Sequence, residues 1–231
     1  MEEYLLCYGE GLAGTDAGAF GLRLGVMQDI ARLGRSHPPA LEALRRQRDR
    51  AGQEMRQLTR AIEFAALNRV LGEEHRTLEA YDASQDPKIR AALFNPVSEL
   101  LNKARRYEDF LAGTGDPLAA LDARIKSVRA DEESLPDDDA LRGSLREGLL
   151  WKAACMFEAC IGAGRYDEAH AVTETLLSFE RSGRAYVHLI LAARRAGIED
   201  AAQGLGRQAR HDLPPDDLAL VERALSESAS P

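Results

Sequence analysis

Apolar residues recur at i, i+3, i+4 and i+7 in one segment after another, the period of an amphipathic helix. A first helix is predicted over Ala17–Leu33, with Phe20, Leu24, Met27 and Ala31 as its stripe and Gly34 to Pro39 as its stop. The longest predicted helix, 39–71, carries Leu41, Leu44, Ala51, Met55, Leu58, Ile62 and Ala65 in a heptad pattern that Arg48 interrupts and Gly52 weakens. Leu78 and Tyr81 mark the next helix. Asp86-Pro87 and Asp116-Pro117 each start another, Asp as N-cap and Pro in the first turn. Pro96 should kink or restart the first of these at Asn95. The second carries the stripe Leu118, Leu121, Ile125 and Val128. A long helix over Asp139–Ala163 turns Leu150, Ala154, Phe157 and Ile161 inward and leaves Trp151, Cys155 and Glu158 on a neighbouring face. After Leu213-Pro214-Pro215 a last helix, Asp216–Leu225, should cap the fold, with Ser226–Pro231 a frayed tail.

The stretch Gly164–Leu177 shows how these helices are joined. Gly164 can take the left-handed conformation that ends a helix, and Asp167 and Glu168 then suit the positive end of the next one. Tyr166, Ala169, Thr173, Leu176 and Leu177 follow along one face, so a helical hairpin is predicted. Thirty-three residues later Gly197, Glu199, Asp200 and Ala202 repeat the outline. Gly72 with Glu73 and Glu74 anticipates it, and Tyr107-Glu108-Asp109 lies thirty-three residues beyond, with Arg105 in place of the glycine and Phe110 in place of the alanine. Such a period is the mark of a helical repeat.

This pattern resembles the tetratricopeptide repeat, best at Gly164, Tyr166 and Ala169 and over about two thirds of the chain. It departs from it where the family's early bulky residue falls on Ala153 and Tyr186, and where its small mid-helix residue falls on Phe157 and Ile190. The resemblance implies an all-α fold of antiparallel helical hairpins stacked as a short α-solenoid, with a long helical hairpin at the N-terminus. It also implies a groove that binds a partner segment, lined by Trp151, Cys155 and Glu158 of one unit and by Arg184, His188 and Arg194 or Arg195 of the next. Trp151 packing against the preceding unit is the competing expectation.

Composition adds boundaries. Residues 131–139 hold six carboxylates in nine positions and are predicted to link an N-terminal region, 1–130, to a C-terminal repeat pair with its capping helix, 140–231. The formal charge of −8 argues against general nucleic-acid binding. One basic patch opposes it: from Arg32 to Arg60 eight arginines face only Glu42, Asp49 and Glu54. That helix, 39–71, could dimerise as a coiled coil or hold an acidic ligand, nucleic acid included. The odd cysteine count (Cys7, Cys155, Cys160), an acidic N-terminus unlike a signal peptide and the lack of a membrane-length apolar run predict a cytoplasmic protein. The glycines from Gly9 to Gly25 are too irregular for a phosphate loop, the acidic run lacks calcium-loop spacing, and the histidines and cysteines form no metal or catalytic set. No catalytic residue, cofactor or metal is expected. The expected function is a protein-interaction scaffold, the alternative a regulatory module acting through the arginine-rich helix.

Overall fold

The computed structural model describes residues 17–135 and 138–226, with side chains from Gly25 onward. The expected stripe positions Phe20 and Leu24, the glycines before residue 17 and the tail beyond Ser226 lie outside that description. The fold is all-α, with no strand among the described residues. Contacts divide the chain into two units between Leu100 and Leu101. The boundary expected at 131–139 is therefore misplaced.

The first unit holds α1 (Ala17–Leu33), α2 (Pro38–Gln53), α3 (Leu58–Leu71), α4 (His75–Ala83) and most of α5 (Pro87–Lys103). Met27, Ile30, Ala40, Leu44 and Leu67 form its core, with Val26, Ala31 and Val70 packed against them. Each large side chain fully buried here contributes about 1.5–3 kcal/mol.

The continuous helix expected over 39–71 is broken at residues 54–57, and α3 folds back on α2. Folding back buries Ala61, Phe64, Ala65 and Leu67, which no single helix could cover for itself. Gly52 makes room for the Phe64 ring, since a Cβ there would stand 3.1 Å from it. Gln47 donates to Glu63 (3.0 Å) and Arg60 pairs with Glu54 (2.9 Å) across the turn. Leu58, expected on the inward seam, is 50% exposed. The uninterrupted heptad seam that a 39–71 coiled-coil dimer requires does not exist.

Asp86 accepts from the Lys88 amide (2.8 Å) at the start of α5, as its sequence predicts. Pro96 sits inside that helix without a restart. Arg90 stacks over the Tyr81 ring at 4.1 Å and donates to the Tyr81 carbonyl (2.8 Å), tying α5 to α4.

The second unit comprises the end of α5, α6 (Tyr107–Thr114), α7 (Pro117–Ser134), α8 (Asp139–Gly162), α9 (Tyr166–Phe179), α10 (Gly183–Ala196), α11 (Glu199–Asp212) and α12 (Pro215–Ser226). Successive packing of α6 on α8, α8 on α10 and α10 on α12 makes one row; α7 packs on α9, and α8/α9 and α10/α11 pair as hairpins. Helix α8 is central. From Leu149 to Ile161 only Trp151 and Lys152 escape full burial, as befits a helix apolar on every side.

The acidic run is not a free linker. Residues 131–134 are the last turn of α7, Glu132 pairs with Arg146 of α8 at 2.6 Å, and Asp138 caps α8 by accepting from Ala140 and Leu141. The Arg146 hydrogen bond outweighs burial and holds the Glu132 carboxyl below its usual range.

Four helix ends share one geometry. Gly72, Arg105, Gly164 and Gly197 all have positive φ, from 56° at Arg105 to 82° at Gly197. At each, the next residue's amide donates back to the carbonyl of Asn68, Leu101, Cys160 or Ala193 at 2.8–2.9 Å, the Schellman lock. Five residues after each stop stands a buried side chain: Thr77, Phe110, Ala169 and Ala202. The recurrence read from sequence thus extends to the one stop that lacks glycine. Tyr166, expected on the inward face, is instead 60% exposed, while Tyr107 is buried. Because only Arg105 bears a Cβ in this conformation, Arg105→Gly should raise stability by about 0.5–1 kcal/mol, measured by chemical denaturation.

Candidate functional site

Helices α8 and α10 are separated in sequence by one antiparallel helix and so run parallel as neighbours. Two side-chain pairs link them, one of them an ion pair. Glu147 Oε1 lies 2.7 Å from His188 Nε2, and Arg195 Nε donates to Glu158 at 2.8 Å. Trp151 falls between the two glutamates on α8, one turn beyond Glu147. Leu191 falls between His188 and Arg195 on α10, and is 39% exposed. Trp151 is half-buried, Arg184 exposed and His188 half-buried. Between the two polar pairs α8 carries a half-covered indole and α10 an exposed leucine, and one turn before His188 stands Arg184, which has no carboxylate partner among the described residues.

The other expected groove residues are differently placed. Cys155 is 4% exposed and its carbonyl accepts from Asn102 (2.9 Å), so the preceding segment covers this face of α8. Tyr107 of α6 presses on the same side, its ring against Gly162. Glu158 is 3% exposed and reaches the surface only through its bond to Arg195. Arg194 is a structural tie: it donates to the Ala224 and Leu225 carbonyls and pairs with Glu199, locking α12 onto α10. Cys155, Glu158 and Arg194 are thus not open groove walls: neighbouring helices cover α8 at Cys155 and Glu158, and Arg194 is taken up by α12 and Glu199. Trp151, Arg184, His188 and Arg195 remain at the surface. Leu191 and Glu147 were missed, although Leu191 falls at i+3 from His188 and i+7 from Arg184.

Burial pushes the Glu158 carboxyl above its usual range, and Arg195 offsets only part of that. The folded state then holds its proton to higher pH than the unfolded chain does. Stability from this group therefore falls as pH rises from the ordinary carboxylate range through the raised folded value. Glu158→Gln should remove that decline: the variant gains on the parent at neutral pH and the gain disappears in acid, as denaturant midpoints at the two pH values will show.

Compared with models of known families, with curated proteins and with solved structures, the chain matches none. The functional reading therefore rests on the geometry.

The basic patch is largely internally neutralised. Arg32 pairs with Asp29, Arg45 with Glu73, Arg46 with Glu42, Arg50 with Glu54 and Arg60 with Glu54 and Glu63. Arg48, which interrupts the heptad, is buried and bridges Asp49 and Glu73. Burial works against the charge on Glu73, but Arg48 and Arg45 outweigh it and hold the carboxyl below its usual range. Arg35 and Arg56 alone of the eight have no carboxylate partner among the described residues.

Burial, with Glu168 beside it, pushes the Cys160 thiol up to about 11, so this sulfur stays protonated and unreactive at neutral pH. Among the described residues no group of three or more His, Cys, Asp or Glu is placed to hold a metal ion. No described helix is long and apolar enough to cross a membrane.

Proposed function

We propose that this protein is an interaction scaffold, working in the cytoplasm, that holds a partner's peptide segment on the face formed by α8 and α10. The observation that carries the reading is the half-buried Trp151 with exposed Leu191 and Arg184 on two parallel, ion-paired helices. Indole and guanidinium groups supply most of the anchoring free energy at protein interfaces when rimmed by polar contacts, as Glu147–His188 and Glu158–Arg195 would rim them here. The tetratricopeptide-like spacing of Gly164, Gly197 and their buried alanines supports the same reading, because stacked hairpins with parallel first helices present a continuous face to a ligand. On this reading the stack closed by α12 would serve as the short α-solenoid that the resemblance implies.

Trp151 is the chain's only tryptophan, so the test is direct. Peptides selected on the full-length protein by display should shift its emission and shield it from acrylamide as they bind. Saturating peptide that leaves emission and quenching unchanged contradicts the assignment.

A further inference from the structure

A second surface, on the first unit, has a chemistry of its own. A cleft of about 530 Å³ is lined by the start of α3 and the first half of α5. Leu58 and Ile62, one turn apart on α3, form one wall; Ile89 and Ala92 of α5 form the other. Leu58 is half exposed, more so than any other described aliphatic side chain of its size, in a unit that buries Leu44, Leu67 and Leu93 completely. The break at residues 54–57 creates this feature. It starts α3 afresh at Leu58 and leaves that leucine with no helix over it.

The rim is cationic. Arg56, in the break, and Lys88, in the first turn of α5, both line the cleft and have no carboxylate partner among the described residues. That is unusual in a region where six neighbouring arginines are paired. Asp86 also lines the cleft and caps α5 through the Lys88 amide; it keeps its negative charge, so Arg56 and Lys88 leave the rim a net charge of +1.

We infer that this cleft is a docking site for an acidic amphipathic helix of a partner protein. Two helical walls that turn Leu58, Ile62, Ile89 and Ala92 to the cleft accept the apolar i, i+3, i+4 face of a third helix. The unpaired Arg56 and Lys88 select aspartate or glutamate on its flanks and disfavour basic sequences. From Lys88 to Asn95 the α5 wall runs eight residues, a rise of roughly 10 Å, so about two turns of the guest are gripped. The site is separate from the α8/α10 face and does not depend on it.

The test uses the full chain and a fluorescent peptide with leucine at i, i+3, i+4 and i+7 and glutamate elsewhere, with a twin carrying lysine for every glutamate. Anisotropy should show binding of the acidic peptide and none of the basic twin. Arg56→Glu with Lys88→Glu should weaken binding about tenfold or more. Arg35→Glu, an unpaired arginine outside the cleft, should change it by no more than about twofold, a change of order 0.4 kcal/mol. Both cations are unpaired, so the charge-reversed protein should keep its helical circular dichroism and melting temperature. Equal binding of the two peptides, no binding of either, or undiminished binding by the folded double variant overturns the proposal. So does retention on phosphatidylserine vesicles without peptide binding, which would make the cleft a lipid site, or self-association abolished by the two reversals, which would make the occupant a second copy.

Discussion

Tyr186→Ala is expected to lose about 3–5 kcal/mol of folding stability, the cost of removing a large aromatic ring from a closed core. Tyr186 is fully buried in α10, and its hydroxyl donates to Asp212 at the end of α11 (2.7 Å). The ring therefore packs the α10/α11 hairpin while the hydroxyl closes it. Burial, and then the carboxylate beside it, raises the Tyr186 hydroxyl above its usual range. The same bond, with His211 adding to it, outweighs burial and holds the Asp212 carboxyl below its usual range. A depressed carboxylate contributes stability that is present above the unfolded value and lost as pH falls through the folded one. Tyr186→Phe separates the two roles: it should cost about 1.5–3 kcal/mol at neutral pH, as for a hydrogen bond to a charged group, and less in acid. Urea denaturation of both variants at the two pH values checks the whole prediction. A Tyr186→Ala protein within about 1 kcal/mol of the parent would mean that the hairpin is not closed here.

Local chemistry made most helix limits legible. Asp86-Pro87 and Asp116-Pro117 start helices because cap and fixed φ act within three residues, and Gly72, Gly164 and Gly197 stop them for reasons equally local. Of the stripe Leu118, Leu121, Ile125 and Val128 the last three are buried as their spacing requires, and Leu118 is half-buried.

What failed depended on partners distant in sequence. The break at 54–57 has no proline or glycine within it, and it is the return of α3 onto α2, with Phe64 against Gly52 and Gln47 bonded to Glu63, that makes it favourable. The acidic run at 131–134 stays helical because Arg146 reaches Glu132 from the next helix. At the candidate site, Arg184 and Arg195 were readable as surface positions, whereas the burial of Cys155 and Glu158 and the tie made by Arg194 required knowing that Asn102, Arg195 and the last helix would meet them. One local signal was present: Ala153 to Phe157 is an unbroken apolar run, too wide for a single stripe and typical of a helix covered all round.

The second large effect is expected at Trp151. Truncation to alanine should weaken display-selected peptides by about 2 kcal/mol or more, roughly thirtyfold, because an aromatic anchor at the centre of an interface carries a disproportionate share of the binding free energy. Arg184→Ala, at the exposed start of α10, should lose less, because a rim charge stays solvated. Stability should respond in the opposite order to the Tyr186 case. Trp151 is only half-buried, so its truncation should fall well short of the roughly 3–5 kcal/mol lost when a buried aromatic is removed.

The most direct measurement is therefore a paired one on the full chain: affinity for a display-selected peptide and thermal stability, for the parent and for Trp151→Ala. An interaction face on α8 and α10 predicts about a thirtyfold loss of affinity in a protein that still melts close to the parent temperature. Unchanged affinity, or a melting temperature that collapses as for a core aromatic, would make Trp151 a packing residue and contradict the assignment.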